Sequence, residues 1–243
     1  MSEPSLQIAL ARSEAEVRAA QRLRWQVFAA EMGARLDTPQ PGLDVDRYDP
    51  HCEHLLVRQA ATGEVVGTYR LLGADAARRL GGYYIEQEFE LGRLEAGRGR
   101  LLELGRCCVR ADHRRGAVIA LLWSGLADYL RTRPHDHLIG CASIALRDPA
   151  FDAAAIWQSL RDTHLGPAAW RATPRRPLPL PLRPAVPGAP PPALPPLLRG
   201  YLRAGAQLCG APALDPDFHT ADLPMLLAMS RLNPAHARHF LHV

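Results

Sequence analysis

A proline-rich segment constrains the fold of this chain more than any other feature. Residues 173–196 contain eleven prolines. Proline fixes its φ and has no backbone N–H, so this density excludes a helix or a central strand and favours an extended polyproline conformation. The regular elements must therefore come from either side of the segment. We interpret residues 1–243 as a single domain with a proline-rich arm at 173–196, and a binding segment for an SH3-like partner is the alternative for the arm.

Hydrophobic periodicity predicts a helix and a β-hairpin near the beginning of the chain. Ser13 and Glu16 form a capping-box pattern, and apolar residues then recur at helical spacing up to about Gly33. Residues 54–59 and 64–72 alternate in polarity and are rich in β-branched residues. This pattern predicts two antiparallel strands.

The later segments alternate between strand and helix patterns. The predicted elements are a loop with a short helix or strand at 73–100, a strand at 101–109, a helix at 119–130, a strand at 137–146, a helix at 148–160, and two further apolar elements at 201–215 and 221–232. The last two are too short to form a core of their own. We therefore expect them to return to the same sheet.

The composition narrows the class of protein. A hydrophobic content of 47% supports a globular core, whereas a formal charge of +4 is too small to indicate nucleic-acid binding, and no nucleic-acid motif is recognisable. The chain begins without the pattern of a signal peptide, and no apolar run approaches the ~18 residues of a transmembrane helix. We expect a cytoplasmic protein with five reduced cysteines, whose contact with the inner face of the cytoplasmic membrane is at most peripheral.

The strand predicted at 101–109 contains two opposite charges, Glu103 and Arg106. Side chains three residues apart point to opposite faces of a regular strand. Gly105 offers a solution, because a β-bulge at this glycine turns both side chains toward one cleft and releases a backbone N–H from the ladder. The alternative is a buried Glu–Arg pair that only fixes the packing. The residues alone leave both interpretations open.

Seven stretches in order along the chain carry a more specific signal. They read LRWQVFAAEMGA, DVDRYDPHCEHLLV, VVGTYRLL, LELGRCCV, LLWSGLADYL, GCASIAL and GAQLCGAPALDPDF. Together they resemble the ornithine acyl-ACP N-acyltransferases, the lyso-ornithine lipid synthases, which are GNAT-like enzymes. The resemblance runs from about residue 20 to the C-terminus. It implies a GNAT-like α/β fold in which helices flank a mixed central sheet.

The chain also resembles the acyl-homoserine lactone synthases, a related group. The residues that recur in that group correspond here to Arg24, Phe28, Asp46, Asp49, Arg70, Glu103 and Arg106. The tryptophan that usually follows the phenylalanine is absent, since this chain continues AAEMGARLD. A lactone synthase is therefore the alternative.

The first resemblance implies an N-acyltransferase that moves a long-chain (3-hydroxy)acyl group from acyl carrier protein to the α-amino group of ornithine, the first step of ornithine lipid biosynthesis. The second implies an acyl-homoserine lactone synthase that uses S-adenosylmethionine and acyl-ACP. An N-acyltransferase for another amino acid is a further alternative. A noncatalytic, membrane-associated binding protein is a hypothesis of a different class.

The resemblance implies roles for the charged strand. Amide formation from a thioester needs a neutral amine and a group that stabilises the oxyanion. Glu103 is the candidate base, directly or through water, because a carboxylate partly removed from water is a stronger base. Arg106 would stabilise the ionised carboxylate. A backbone amide released by the bulge at Gly105 would polarise the thioester carbonyl.

The acceptor site is expected at the first helix and the loop that follows it. Arg24 and Phe28 are four residues apart and share a helix face. An arginine suits the carboxylate of an amino acid, and Asp46 and Asp49 suit its ammonium groups. Arg70 is expected to brace this loop, with no assigned partner. The alternative is a solvated helix face beside an Asx-rich turn.

The donor is expected at DHRRGAVIA, where GNAT enzymes place a turn whose amides bind the cofactor pyrophosphate. Only Gly116 is a glycine here, which fits the 4'-phosphopantetheine arm of acyl carrier protein better than free coenzyme A. Arg110, Arg114 and Arg115 would meet the acidic surface of the carrier. An exposed basic turn without a partner is the alternative. We expect no tightly bound cofactor.

The stretch DPHCEH could indicate a metal site or a thiol nucleophile built from Asp49, Cys52 and His54. No second ligand cluster with matching spacing accompanies it, and a histidine that begins an apolar strand is more often a core or edge residue. We therefore expect no metal at this stretch.

Overall fold

The computed structural model describes residues 5–92, 99–133, 135–148, 151–180 and 190–233. The strands are β1 Leu6–Leu10, β2 Glu53–Gln59, β3 Val65–Gly73, β4 Phe89–Glu90, β5 Leu101–Val109, β6 His137–Ala145, β7 Thr173–Pro174, β8 Gln207–Leu208, β9 Ala213–Asp215 and β10 Thr220–Ala228. The α-helices are α1 Glu14–Trp25, α2 Ala74–Leu80, α3 Ala117–Thr132, α4 Ala153–His164 and α5 Pro196–Ala204. Helices flank mostly antiparallel strands, and the predicted mixed α/β class is confirmed.

The described chain divides into two units. The first comprises residues 5–83 and 102–135, and the second comprises residues 84–101 and 136–233. Most of the sequence motifs for a catalytic site lie in the first unit. The prediction of a single domain over 1–243 stays a prediction.

The first unit is built on strands that pair antiparallel in the order β1, β2, β3, β5. Helix α1 begins at the predicted cap, where the Ser13 side chain accepts a hydrogen bond from the Glu16 amide at 3.3 Å. Beyond Trp25 the helix continues as a π-helix over Gln26–Glu31. Such wider turns are rare and often lie at functional sites.

Helices α1 and α3 lie on opposite faces of β3. Val118 of α3 lies against Gly67, so the odd-numbered positions of this strand face α3. Arg70 is three residues further along and points to the other face. There its guanidinium contacts Asp49, which Arg24 of α1 also binds. One face of the strand therefore supports an apolar core and the other supports charged groups.

Two glycines let α3 approach the sheet closely. A Cβ added at Gly67 would lie 2.3 Å from Val118 Cγ1, and one added at Gly125 would lie 2.6 Å from Ile8 Cγ1. Real Cβ atoms do not come so near to a neighbouring carbon. The helix therefore packs at a distance that only glycine permits at these two positions.

The second unit has its own antiparallel ladder. Strand β10 pairs with β6 along its whole length, and β8 and β9 also pair with β10. Strands β4 and β7 form a separate two-stranded sheet. The predicted C-terminal elements thus return to a sheet: the first contains the short strands β8 and β9 after helix α5, and the second is the long strand β10.

The structure adds one strand to the predicted elements, bears out the prediction for 73–100 and corrects one end of the arm. Strand β1 was not predicted, although LQIAL alternates in burial and pairs with β2. The loop with a short helix or strand that was predicted at 73–100 contains both, as α2 and β4. Helix α5 begins at Pro196 inside the predicted extended arm, because proline is favourable in the first turn, where its missing N–H has no helical partner. Residues 181–189 of the arm lie outside the described residues.

Among the residues that the structure describes, no helix is long and apolar enough to cross a membrane.

We expect Gly67→Ala to lower the free energy of unfolding by about 1–3 kcal/mol, because the new methyl group overpacks the contact with the β-branched Val118. Urea unfolding of the purified protein measures this change. Gly99→Ala is the control, since Gly99 is exposed and a Cβ there meets no atom within 4 Å. Equal stabilities for the two variants would contradict the close approach of α3.

Candidate active site

A β-bulge interrupts β5 at the charged stretch. Gly105 pairs with Arg70 and Cys108 pairs with Thr68, so Arg106 and Cys107 together oppose the single residue Tyr69. The predicted bulge is confirmed, but the left-handed residue is Arg106, with a φ of 52°, and not Gly105. This conformation costs an L-residue about 1–2 kcal/mol.

Glu103 lies buried on the charged face of the sheet. Glu103 of β5 pairs with Leu72 of β3. Arg70 of β3 pairs with Gly105 of β5 on one side and with His54 of β2 on the other. Directly opposed residues of an antiparallel pair share a face, so Glu103, Arg70 and His54 point to the same side. Glu103 is 4% exposed. The candidate base therefore shares a face of the sheet with Arg70 and His54.

Arg24 is bound by two aspartates. Its Nη1 donates to Asp49 Oδ1 at 2.9 Å and its Nη2 donates to Asp49 Oδ2 at 2.7 Å, a bidentate pair. Nη2 also donates to the Asp44 carbonyl, and Nε lies 2.9 Å from Asp44 Oδ2 at an angle unsuitable for a hydrogen bond. The side chain is 0% exposed. Arg24 therefore holds the loop in place, and it does not offer its guanidinium to solvent as a carboxylate receptor would.

Arg70 and Arg106 complete the cluster. Arg70 Nη1 lies 2.6 Å from Asp46 Oδ2 and 3.0 Å from Asp49 Oδ1, which supplies the partners that the sequence left unassigned. Arg106 Nε donates to Asp44 Oδ2 at 3.0 Å, and its Nη2 lies 3.6 Å from Asp46 Oδ2. We call Arg24, Arg70, Arg106, Asp44, Asp46 and Asp49 the arginine–aspartate cluster.

The arginines keep Asp46 and Asp49 ionised. Burial opposes the ionisation of Asp49, but the hydrogen bonds and charge of Arg24, followed by those of Arg70, outweigh it and hold its pKa below the ordinary value. Burial likewise opposes the ionisation of Asp46, and the charges of Arg70 and Arg106 lower its pKa nevertheless. With three cations and three anions the cluster is neutral in sum. It has no anionic charge in excess for an ammonium group.

The sequence reasoning missed Asp44, which links Arg24 to Arg106 and is only 3% exposed. It also missed Gln21, whose Nε2 donates to Asp49 Oδ2 at 3.0 Å. The three aspartates fall within six residues of one another in LDVDRYD, a signal that could have identified Asp44. Gln21 had no signal beyond its place one turn before Arg24.

Phe28 lies in the π-helix that follows α1, so regular α-helical spacing from Arg24 does not describe its position. Its side chain is 9% exposed, and its carbonyl accepts from the Ala34 amide at 2.8 Å. Phe28 is therefore a core residue next to the cluster.

The stretch DPHCEH belongs to the same face but not to a metal or nucleophile site. Asp49 is engaged by arginines, and the His54 ring lies 3.3 Å from the Asp49 carbonyl oxygen through Nε2. Burial lowers the pKa of His54. Burial raises the pKa of the Cys52 thiol to about 12, so this cysteine stays protonated and is a poor nucleophile.

The basic turn after β5 is largely paired within the chain. Arg110 contacts Asp112 at 2.8 Å and Glu64 at 2.5 Å, and Arg114 contacts Glu31 at 2.6 Å. Arg115 is exposed and forms no ion pair with any residue that the structure describes. Arg115 is therefore the most available cation of the three for a partner. Gly116, with a φ of 102°, lies at the cap of α3 and supplies no side-chain hydrogen bond to it.

Comparisons with known proteins agree on the kind of enzyme. A model for the acetyltransferase (GNAT) domain matches residues 23–124. The L-ornithine N(alpha)-acyltransferase of Brucella abortus is 36% identical over 250 residues, covering 97% of this chain and 89% of that protein. The protein of the same name from Rhodobacter capsulatus is 36% identical over 245 residues, covering 96% and 93%.

The acyl-homoserine lactone synthase LasI superposes with a TM-score of 0.57 at 12% identity, covering 99% of this chain and 96% of that one. At this identity the likeness shows the fold alone. The predicted GNAT-like fold is confirmed.

We expect Asp49→Asn to lower the free energy of unfolding by about 3–5 kcal/mol, because it leaves buried guanidinium groups without their full counter-charge. The lowered pKa values mean that the aspartates stabilise the fold at pH above their ordinary pKa of 3.8, and that this stability is lost as the pH falls below it. Urea unfolding between pH 7 and about pH 3 should therefore show a weaker pH dependence in the variant.

The control is Asp128→Asn, which removes an exposed pair with Arg131 at 2.8 Å. An exposed pair contributes less than about 1 kcal/mol. If the two variants lose the same stability, the cluster does not hold the fold together.

Proposed function

The chain belongs to the L-ornithine N(alpha)-acyltransferase family, and on this premise we propose that it transfers a long-chain (3-hydroxy)acyl group from acyl carrier protein to the α-amino group of ornithine. The observation that carries the proposal is similarity at 36% identity over nearly the whole chain to enzymes of that name. The product is an N-acylated ornithine, the first intermediate of an ornithine lipid.

The reaction forms one bond and breaks one. The nitrogen of the α-amine attacks the thioester carbonyl carbon, the C–N bond forms, the C–S bond breaks, and the phosphopantetheine thiolate leaves and takes up a proton. Before attack the α-ammonium must lose a proton. Glu103 is proposed to accept it, directly or through water, because it is a buried carboxylate beside the bulge.

The bulge supports a second part of the mechanism. The extra residue of a β-bulge turns a backbone amide out of the regular ladder. We place the oxyanion that develops on the thioester carbonyl near the amides of residues 106–107. The contact of Arg106 with Asp44 would hold this irregular backbone in place while the charge develops. Gly105 has an open Cβ position and an ordinary φ, so its proposed role is limited to its place beside the bulge.

The donor is proposed to be carried by acyl carrier protein. Arg115 offers an exposed cation to an acidic partner, and the first amides of α3 follow a cap without a side-chain hydrogen bond. Amides at the N-terminus of a helix of this length suit the phosphate of a phosphopantetheine arm. Arg110 and Arg114 are proposed to hold the turn in shape through their ion pairs. They are expected to contribute less than Arg115 to the binding of acyl carrier protein.

The arginine–aspartate cluster is proposed to position the acceptor loop without binding the acceptor's charges. Each of its aspartates has an arginine nitrogen within 3.0 Å. Asp46, at 17% side-chain exposure, is its most accessible carboxylate. The sequence predicted that Arg24 binds the carboxylate of the acceptor. This prediction is wrong, because the Arg24 side chain is fully buried.

We expect purified protein with a 3-hydroxyacyl-ACP and ornithine to form an amide at the α-nitrogen and to release holo-ACP, as measured by mass spectrometry. S-adenosylmethionine in place of ornithine tests the lactone synthase, and lysine, glutamine and glycine test other acceptors. Acyl-CoA in place of acyl-ACP tests the carrier. A product only with S-adenosylmethionine would replace the proposal by a lactone synthase. If none of these acceptors gives a product, the result would favour a noncatalytic binding protein.

We expect Glu103→Gln to fold and to lower kcat/KM about 10²- to 10⁴-fold at neutral pH, because the amide keeps the volume but cannot accept the proton. Raising the pH should recover part of the loss, since more of the amine is then already neutral. Glu14→Gln, which removes an exposed carboxylate paired with Arg18, should leave turnover unchanged. Wild-type turnover of Glu103→Gln at every pH would reduce Glu103 to a packing role.

A further inference from the structure

The second unit contains a group of metal-ligating side chains that no sequence motif includes. Asp222 of β10 pairs with Ser143 of β6, and Pro224 of β10 pairs with Cys141 of β6. Opposed and alternate residues of an antiparallel pair share a face, so Asp222, Ser143 and Cys141 lie together. Glu88 precedes β4 in the same unit. One ligand atom from each of Glu88, Cys141 and Asp222 lies within 4.8 Å of the other two, and we call these residues the Glu–Cys–Asp group.

Asp222 has an unused polar atom in the interior of its unit. The residue is 4% exposed, and its Oδ1 is buried without a hydrogen-bond partner among the residues that the structure describes. Burial raises the pKa of its carboxyl group, hydrogen bonds with Glu88 and Ser143 oppose the rise, and the charge of Asp215 adds to it. A buried acceptor is unfavourable unless a partner satisfies it. The Asp222 oxygen therefore points to a bound ligand.

The group is positioned by the fold and accessible from one side. Ser143 is exposed and Glu88 is half-buried, so a small ion can reach Asp222 from their side. The Glu88 backbone is held at both ends, because its amide donates to the Ile85 carbonyl at 3.0 Å and its carbonyl accepts from the Arg175 amide at 2.7 Å. A ligand that is already fixed in place loses little conformational entropy when it binds an ion.

The donor set of the group fits a cation of the zinc type. Zinc accepts thiolate and carboxylate ligands together, whereas magnesium and calcium prefer oxygen alone. An ammonium group gains little from the sulfur of Cys141, which is a weak acceptor. In a tetrahedral zinc site the sulfur and oxygen ligands lie about 3.3–3.6 Å apart. The separation of up to 4.8 Å closes to this range by an inward movement of the half-buried Glu88 and Cys141 side chains.

Binding of zinc would release protons from the group. Two carboxyl groups that hydrogen-bond to each other share a proton, so Glu88 and Asp222 hold one between them. Zinc binds carboxylates and a thiolate, so this proton and the thiol proton of Cys141 both pass to solvent. The fourth position of the tetrahedron stays available to water. The hydrogen bond between Ser143 and Asp222 would orient the carboxylate toward the ion.

We propose that Glu88, Cys141 and Asp222 bind a divalent cation of the zinc type, which ties the segment before β4 to the ladder of β6 and β10. The three ligands lie far apart in the sequence, so the ion would close long loops of the chain and stabilise the folded second unit. The inference does not depend on the proposed function.

The test is a zinc titration of the full chain after its metal has been removed with a chelator. The wild type should bind one zinc ion per chain, measured by competition with a chromophoric chelator. Asp222→Asn should weaken this binding about 100-fold or more, and Ser143→Ala about 10-fold. Glu90→Gln is the control, because Glu90 lies two residues after Glu88 but has a largely exposed side chain that pairs with Arg175 at 3.2 Å. Its zinc affinity should equal that of the wild type.

Cobalt in place of zinc tests the sulfur ligand separately. A cobalt ion bound by a thiolate absorbs in the near ultraviolet through charge transfer from sulfur, and Cys141→Ser should remove this absorption. Cys209→Ala, which removes a buried thiol of the same unit, should retain it. Zinc should also raise the Tm of the wild type, but not that of Asp222→Asn or Cys141→Ser, because only a chain that binds the ion is stabilised by it.

Equal zinc affinity in the wild type, Asp222→Asn and Cys141→Ser would overturn the inference, and so would a wild type that binds no zinc. Tighter binding of calcium or magnesium than of zinc would also overturn it, since it would indicate a site of oxygen ligands alone. If Asp222→Asn does not fold, the comparison of Cys141→Ser with Cys209→Ala decides. None of these measurements uses acyl transfer, so a failure of the proposed function would leave their result unchanged.

Discussion

The buried pairing of three arginines with three aspartates is the interaction on which the first unit depends. It connects helix α1 through Arg24, strand β3 through Arg70 and strand β5 through Arg106 to one loop at residues 44–49. Removing any of these charges from water is costly, and the cost is offset only when each charge has a partner with good geometry. The loop therefore takes one conformation, because any other would leave a buried charge without its partner.

The bulge of β5 is tied to the same pairing. Arg106 adopts a left-handed backbone that costs about 1–2 kcal/mol, and its guanidinium gains two partners, the buried Asp44 and the half-buried Asp46. A lysine could not replace it, because a single ammonium lacks the planar fork that spans two carboxylates. The irregular strand also leaves Glu103 on the charged face. The ion pairs and the bulge thus support each other, and the proposed chemistry depends on both.

The surroundings of a buried carboxyl group set the direction of its pKa shift. In the arginine–aspartate cluster the guanidinium groups overcome burial, and the pKa values of Asp46 and Asp49 are lowered. At Asp222 of β10 burial prevails, and the pKa of its carboxyl group is raised. The difference follows from the presence or absence of a fixed cation beside each group. A carboxylate matched by an arginine is held in its charged form and maintains structure.

The sequence by itself determined the type and order of most elements, the interruption of β5 and the family of the chain. The capping box at Ser13, the alternating hairpin and the apolar run at 101–109 are local patterns, and local patterns can be interpreted without the fold. Similarity over nearly the whole chain gave the enzyme class. Strand β1 escaped prediction because a five-residue run with only modest alternation is too short to be distinguished from a loop.

Only the tertiary structure decided which charges meet. Arg106 and Asp44 are 62 residues apart, and Arg24 and Asp49 are 25 apart, so no spacing rule relates them. The sequence assigned Arg24 to a substrate, and the fold assigned it to Asp49 and Asp44. Likewise, Asp222 and Ser143 lie opposite each other only because β10 pairs with β6. Residue types are a property of the chain, but the pairing of buried charges depends on distance in the folded state, because the energy of a charge is set by its neighbours in space.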